Sequence, residues 1–155
     1  MTQKSLIDGG NPSSHIRLYN PFGAAGTGYG STNVKIRRFA TVAASSGTGI
    51  TYADSATLGG TFTINEAGVY AISYTDQFVG TAFLGISLNV SVINDNIFEI
   101  PVAERMACAT TPAANLMGNV SVTLKLNVGD IIRAHTAGAY SGDRNYTLFF
   151  ITQTR

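Results

Sequence analysis

The side chains able to do chemistry are few and far apart. The 155 residues include two histidines, His15 and His135, and one cysteine, Cys108. The chain has no Gly-x-Ser-x-Gly elbow and no His-x-x-x-His pair, and a lone cysteine offers neither a thiolate zinc set nor an intrachain disulfide. His135 follows the alternation Ile132, Ala134, Thr136, which puts it on a strand face with Arg133 and opposite Ala134. It reads there as an exposed structural histidine, not as a general base. Cys108 reads as a small hydrophobe. Gly26-Thr27-Gly28-Tyr29-Gly30 has the glycines of a phosphate loop but lacks the preceding apolar strand, the following helix and the lysine. Asp130 and Asp143 each sit in a turn sequence. Calcium takes six to eight oxygens, so a single turn carboxylate reads as a turn residue first. These residues predict no catalysis, no cofactor and no metal.

The remaining chemistry is that of charge. Charged residues make up only 12% of the chain, against roughly 25% in an average soluble domain. A monomer with so few charges is poorly protected against association, so partners are expected to cover much of the surface. The net charge of +1 argues against a nucleic-acid binder. It is also a cancellation. Residues 1–38 hold Lys4, Arg17, Lys35, Arg37 and Arg38 against Asp8, a net +4, and residues 39–155 hold five bases against eight acids, −3. Arg37 and Arg38, on a strand, would point to opposite faces, either as solvated charges or with one of them meeting an acidic neighbouring subunit. Residues 1–15 lack the apolar run of a signal peptide. No stretch approaches the roughly 18 apolar residues of a membrane span. Sequons at Asn89, Asn119 and Asn145 read as chance matches. Synthesis in a cytoplasm is the expectation.

Two regions differ in texture. Residues 1–33 have loop chemistry: Gly9-Gly10-Asn11-Pro12-Ser13-Ser14, a short alternating piece Ile16-Arg17-Leu18-Tyr19, and a Gly-rich run over residues 23–31. This predicts an extended basic arm that orders on a partner. Residues 34–155 read as strands. Val120, Val122, Leu124, Leu126 and Val128 alternate with polar residues for nine positions, then the turn Asn127-Val128-Gly129-Asp130 leads into the Ile132 alternation. Phe62 and Ile64 alternate before a turn at residues 65–68, and Tyr70, Ile72 and Tyr74 follow it. Further strands are expected over residues 34–42, 85–93, 97–100 and 146–152, and a helical turn within residues 102–109. Many short strands with regular turns predict an all-β antiparallel sandwich. Along residues 146–152, Leu148 and Phe150 face one way and Phe149 and Ile151 the other. A strand apolar on both faces needs cover on both, which suggests burial between subunits as well as within one.

The order of these pieces resembles a known superfamily. Gly59-Gly60-Thr61-Phe62-Thr63-Ile64, through Gly68-Val69-Tyr70 to Tyr74, is similar to the centre of the tumour necrosis factor and complement globular-head fold. Leu124-Lys125-Leu126-Asn127-Val128-Gly129-Asp130-Ile131-Ile132 resembles its leucine-rich strand and Gly-Asp turn, and residues 146–151 resemble its closing strand. The resemblance implies a jelly-roll β-sandwich that assembles as a homotrimer, with Tyr70, Tyr74, Leu148 and Phe150 between subunits. Receptor-contact loops have no recognisable counterpart, and the form is that found in bacteriophage structural proteins. The expectation is therefore a trimeric capsid decoration (cement) protein on the virion surface that partners the major capsid protein. Lys4, Ile16, Arg17, Leu18, Tyr19, Pro21 and Phe22 of the arm would bind the shell. The alternative is a receptor- or glycan-binding head fibre acting through residues 78–83 and 137–145.

Overall fold

In the computed structural model, residues 13–20, 28–114, 116–137 and 147–154 are described. Ten strands follow one another: β1 His15–Tyr19, β2 Thr41–Ser46, β3 Ile50–Ser55, β4 Gly59–Ile64, β5 Gly68–Gln77, β6 Phe83–Leu88, β7 Arg105–Thr110, β8 Met117–Leu126, β9 Ile131–Thr136 and β10 Leu148–Thr154. They form two five-stranded antiparallel sheets, ordered β2-β1-β10-β5-β8 and β3-β4-β9-β6-β7. The expected all-β sandwich is the fold, and non-sequential neighbours such as β10 and β5 make it a jelly roll rather than a meander.

The core is built by alternation. Ile16 and Leu18 of β1, Tyr70, Ile72 and Tyr74 of β5, and Phe149 and Ile151 of β10 point from the first sheet towards the second. Phe62, Ile64, Leu84, Ile86 and Ile132 meet them from the other side. The centre is aromatic: Phe62 stacks on Phe149 with centroids 4.5 Å apart, and Tyr74 lies 5.7 Å from the same ring. The Gly-Asp turn closes β8 to β9 as its residues suggested. Gly129 has φ of +90°, a conformation that favours glycine, and Asp130 accepts from the Asn127 amide at 2.7 Å.

Several elements differ from expectation. Residues 15–19 are a strand between β10 and β2, with Ile16 opposite Ile151 and Leu18 opposite Phe149. The arm reading therefore fails there, because the two apolar residues of the short alternation belong to the core. Residues 34–40 do not form the expected strand. Asn33 caps them instead, accepting from the amide of Lys35 at 2.8 Å. They then wedge between β4 and β9, where the Arg37 amide donates to Ala134 O and Gly60 N donates to Arg37 O, each at 2.9 Å. β6 stops at Leu88 because Asn89 turns to φ of +50°. Residues 97–100 form a turn bonded back to Asn96 O. The helical turn is confined to Val102–Glu104, before β7 begins.

The wedge delivers a charge into the interior. Arg37 and Asp76 are fully buried and paired twice at 2.6 Å, Nε to Oδ2 and Nη2 to Oδ1. Asp76 also accepts from Thr147 Oγ1 at 2.8 Å, from the Gln77 amide at 2.8 Å and from the Tyr74 hydroxyl. The guanidinium lies 4.7 Å from the ring centre of Tyr29, within cation–π range. Burial works against the charge of Arg37, but Asp76 outweighs it and holds the group well above its ordinary value. Burial beside Asp76, partly offset by Arg37, pushes the Tyr29 hydroxyl up to about 12. Arg38, pointing the other way as alternation required, pairs with Asp54 at the surface at 2.6 Å. Neither arginine awaits an acid from another subunit.

Removing one member of a buried pair leaves the other desolvated and uncompensated, at a cost of about 3–5 kcal/mol. Arg37→Met should therefore lower Tm by on the order of 10 °C in a thermal melt. Arg37→Met with Asp76→Leu should recover part of the loss, since both charges then go. A single variant that melts with the parent would show that the pair is not structural.

Candidate functional site

The face of the first sheet turned away from the core is where its sequence is least self-sufficient. Reading across the register, Tyr19, Leu148, Thr75 and Asn119 make one row, Arg17, Phe150, Ser73 and Ser121 the next, and His15, Thr152, Ala71 and Thr123 a third. Side chains are large on β1 and β10 and small on β5 and β8. That step leaves a groove of about 400 Å³ floored by Ala71, Ser73, Ser121 and Thr123, with Phe150 as one wall. Leu148 and Phe150 are half-buried by the chain itself, and Tyr19 is 37% exposed.

The charges on this face share one sign. Arg17 of β1 and Lys125 of β8 are exposed, and among the described residues the ion pairs are Arg37–Asp76 and Arg38–Asp54. The face is thus apolar and hydroxyl-rich, with basic margins. Shape, apolar wall and charge suit it to docking. Among the described residues, no array of acid, base and nucleophile converges there.

The predicted interface residues divide between the two faces. Leu148 and Phe150 lie on the outer face. Tyr70 and Tyr74 do not: both are fully buried, and Tyr74 pairs in register with Phe149, not with Phe150. The correction follows from the two-residue period, because the parity that turns Leu148 and Phe150 outward turns Tyr70 and Tyr74 inward. Among the predicted shell-binding residues, Arg17 and Tyr19 face outward, and Ile16 and Leu18 are 5% and 0% exposed, so those two are unavailable to any partner. Lys4, Pro21 and Phe22 lie outside the described residues, as do Asp143 and, but for Ala137, the loop expected to bind glycans at residues 137–145.

Other candidates resolve into structure. Asp130 accepts from Asn89 Nδ2 at 2.8 Å as well as from its own turn, as a turn carboxylate should. Cys108 is exposed on β7. His135 does lie on the face of β9 opposite Ala134, but it is fully buried, not exposed. The chain between β6 and β7 folds back over it, and its Nε2 is 2.8 Å from Asp95 O. The sequence reading missed Asp76 as the partner of Arg37. The signal for it was an acid at an inward position of an otherwise apolar strand face.

No family model matches the chain, and no curated protein matches it in sequence. Solved structures match in shape. Murine APRIL at pH 8.0 aligns with a TM-score of 0.63 at 15% identity, over 92% of this chain and 100% of that one. The globular domain of zebrafish complement 1qA aligns at 0.59 and 12% identity, over 93% and 98%. GITRL from bushbaby aligns at 0.56 and 11%, over 92% and 95%. At such identities the likeness concerns architecture alone: the fold is a jelly roll of the tumour necrosis factor and complement globular-head type.

Proposed function

We propose that this chain is a non-enzymatic structural protein of a virion, a homotrimeric jelly roll that decorates and cements a capsid. The observation that carries the assembly half is the outer face of β10, where Leu148 and Phe150 stand half-buried beside a groove of small residues. Three copies packed about this face would bury it, and would account for a chain with 12% charged residues. Leu148 and Phe150, with Tyr19, form the centre of that contact. Tyr70 and Tyr74 support it from beneath.

The capsid half rests on the turn-rich N-terminal residues, in which Lys4 and Asp8 balance. The body claims residues 14–20, so the attachment segment shortens to about residues 1–12, with Lys4, and to Pro21 and Phe22. Attachment is chiefly apolar, and three segments per trimer multiply it by avidity. Cementing is mechanical: each bridged contact must break before the shell can expand.

Light scattering on the purified chain should give the mass of a trimer. Phe150→Asp should weaken association by at least about 2 kcal/mol, roughly thirtyfold, with little change in the melting of the monomer. Tyr74→Ala should do the reverse, lowering stability through the core cavity by about 3–5 kcal/mol. A monomeric parent protein would sink the trimer.

Deleting residues 2–12 should leave the trimer intact and abolish co-sedimentation with capsids. Undiminished binding would remove the attachment role from this segment. Copy number tests the role itself, because hundreds per particle are required for cement, and a few dozen or fewer would assign the trimer to host recognition.

A further inference from the structure

The second sheet does not leave its outer face open. Residues 89–101 leave β6, fold back over β6 and β9, and return to β7. The cover fits because Gly85 has no side chain: a Cβ there would stand 2.5 Å from Ile97 Cγ1. Ile97 and Ile100 are fully buried under the cover with Val90, and Phe98 rests on Phe83 with ring centres 4.6 Å apart. The neck is stapled. Asn89 and Asp130 bond at 2.8 Å, and Ser91 donates to Glu104 from both its amide and its hydroxyl at 3.0 Å. Beyond the neck, four hydrogen bonds hold the tip to the body: Asn33 Nδ2 to Ile93 O at 3.0 Å, the Ile97 amide to Thr136 O at 3.2 Å, Arg105 Nη1 to Phe98 O at 2.7 Å, and His135 Nε2 to Asp95 O at 2.8 Å.

We propose that this covering loop is a proton-operated latch, with His135 as its catch, which opens in mild acid and uncovers the apolar cluster of Val90, Ile97 and Ile100. The bonding pattern fixes the closed state. A carbonyl only accepts, so Nε2 carries the proton towards Asp95 O. Nδ1, 3.2 Å from Ser87 Oγ, then accepts from that hydroxyl. A second proton on the ring would leave Nδ1 nothing to accept and force the serine hydroxyl to turn. It would also place a cation in a buried site that already faces Arg133 from β9 and Lys35 from the wedge. The Asp95 carboxylate, on the loop, is the opposing charge, and Ser87 is the neutral neighbour from β6. Burial first, then Arg133 and Lys35, hold His135 below its ordinary range against the opposing bond to Asp95.

The sign follows from linkage. With the loop open, His135 regains an ordinary value near 6.5. The open form therefore binds more protons, and acid favours it. From about pH 6.5 down to the closed-state value, the ratio of closed to open loops should fall by about tenfold per pH unit. Above that window the ratio no longer changes with pH.

Amide hydrogen exchange on the intact protein tests this between pH 7.5 and 5.5, corrected for the intrinsic rate at each pH. Protection of the Ile97 amide should fall by up to about tenfold per unit below pH 6.5, while amides of β5 and β8 hold theirs. His135→Gln should remove that pH dependence, and His15→Gln should retain it. Flat protection of Ile97 to pH 5.5, or an unchanged slope in His135→Gln, would overturn the latch. Should His135→Gln fail to fold, the ring proton resonances of His135 decide on the parent protein. A midpoint depressed below 6.5 that tracks the loop amides supports the latch, and an ordinary midpoint with unmoved loop amides refutes it.

Discussion

The buried pair of Arg37 and Asp76 is the interaction around which the rest of the sandwich is arranged. Asp76 stands on the inner face of the first sheet, and Arg37 comes from the segment that opens the second sheet between β4 and β9. Desolvating two charges is expensive, and the cost is offset only when every lone pair and proton finds a partner. Here two carboxylate oxygens receive Arg37 Nε and Nη2, Thr147 Oγ1, the Tyr74 hydroxyl and the Gln77 amide. The network thereby fixes the end of β5, the start of β10 and the wedge, three pieces far apart in sequence. Hydrophobic contact alone would allow them to slide, whereas a bidentate pair sets one register.

The two outer faces are then treated in opposite ways. The second sheet covers itself: residues 89–101 close over Gly85 and His135 and make a small satellite core. Among the described residues no loop covers the outer face of the first sheet, where Leu148 and Phe150 stand half-buried beside a floor of alanine, serine and threonine. The low charge content belongs to this asymmetry, since charges that would keep the face in water are missing from β5 and β10.

Much of this was readable without coordinates. The alternations at Phe62 and Ile64, Tyr70 to Tyr74, Val120 to Leu126 and Leu148 to Ile151 located β4, β5, β8 and β10, because each is a run whose period matches the pleat. The turn at Asn127-Val128-Gly129-Asp130 was legible from Gly129 and Asp130. The short alternation Ile16-Arg17-Leu18-Tyr19 obeys the same rule as the others, but its glycine- and proline-rich surroundings made it read as an arm. Its partners, Phe149 and Ile151, lie more than 130 residues away, and no local signal reports a pairing that distant. The site was half legible for a related reason. Leu148 and Phe150 were identified from their own strand, whereas Tyr70 and Tyr74 were set beside them without knowledge of the register between β5 and β10.

The sequence by itself determined which residues share a face, because alternation is a property of the extended backbone and is written locally. Only the tertiary structure decided which face is inside. His135 lies opposite Ala134 by sequence, and is buried because a loop from elsewhere lies on it. Arg37 and Arg38 diverge by sequence, and one is buried because Asp76 waits on another sheet. Burial depends on what packs against a face, and that is settled by contacts between segments that local patterning does not encode.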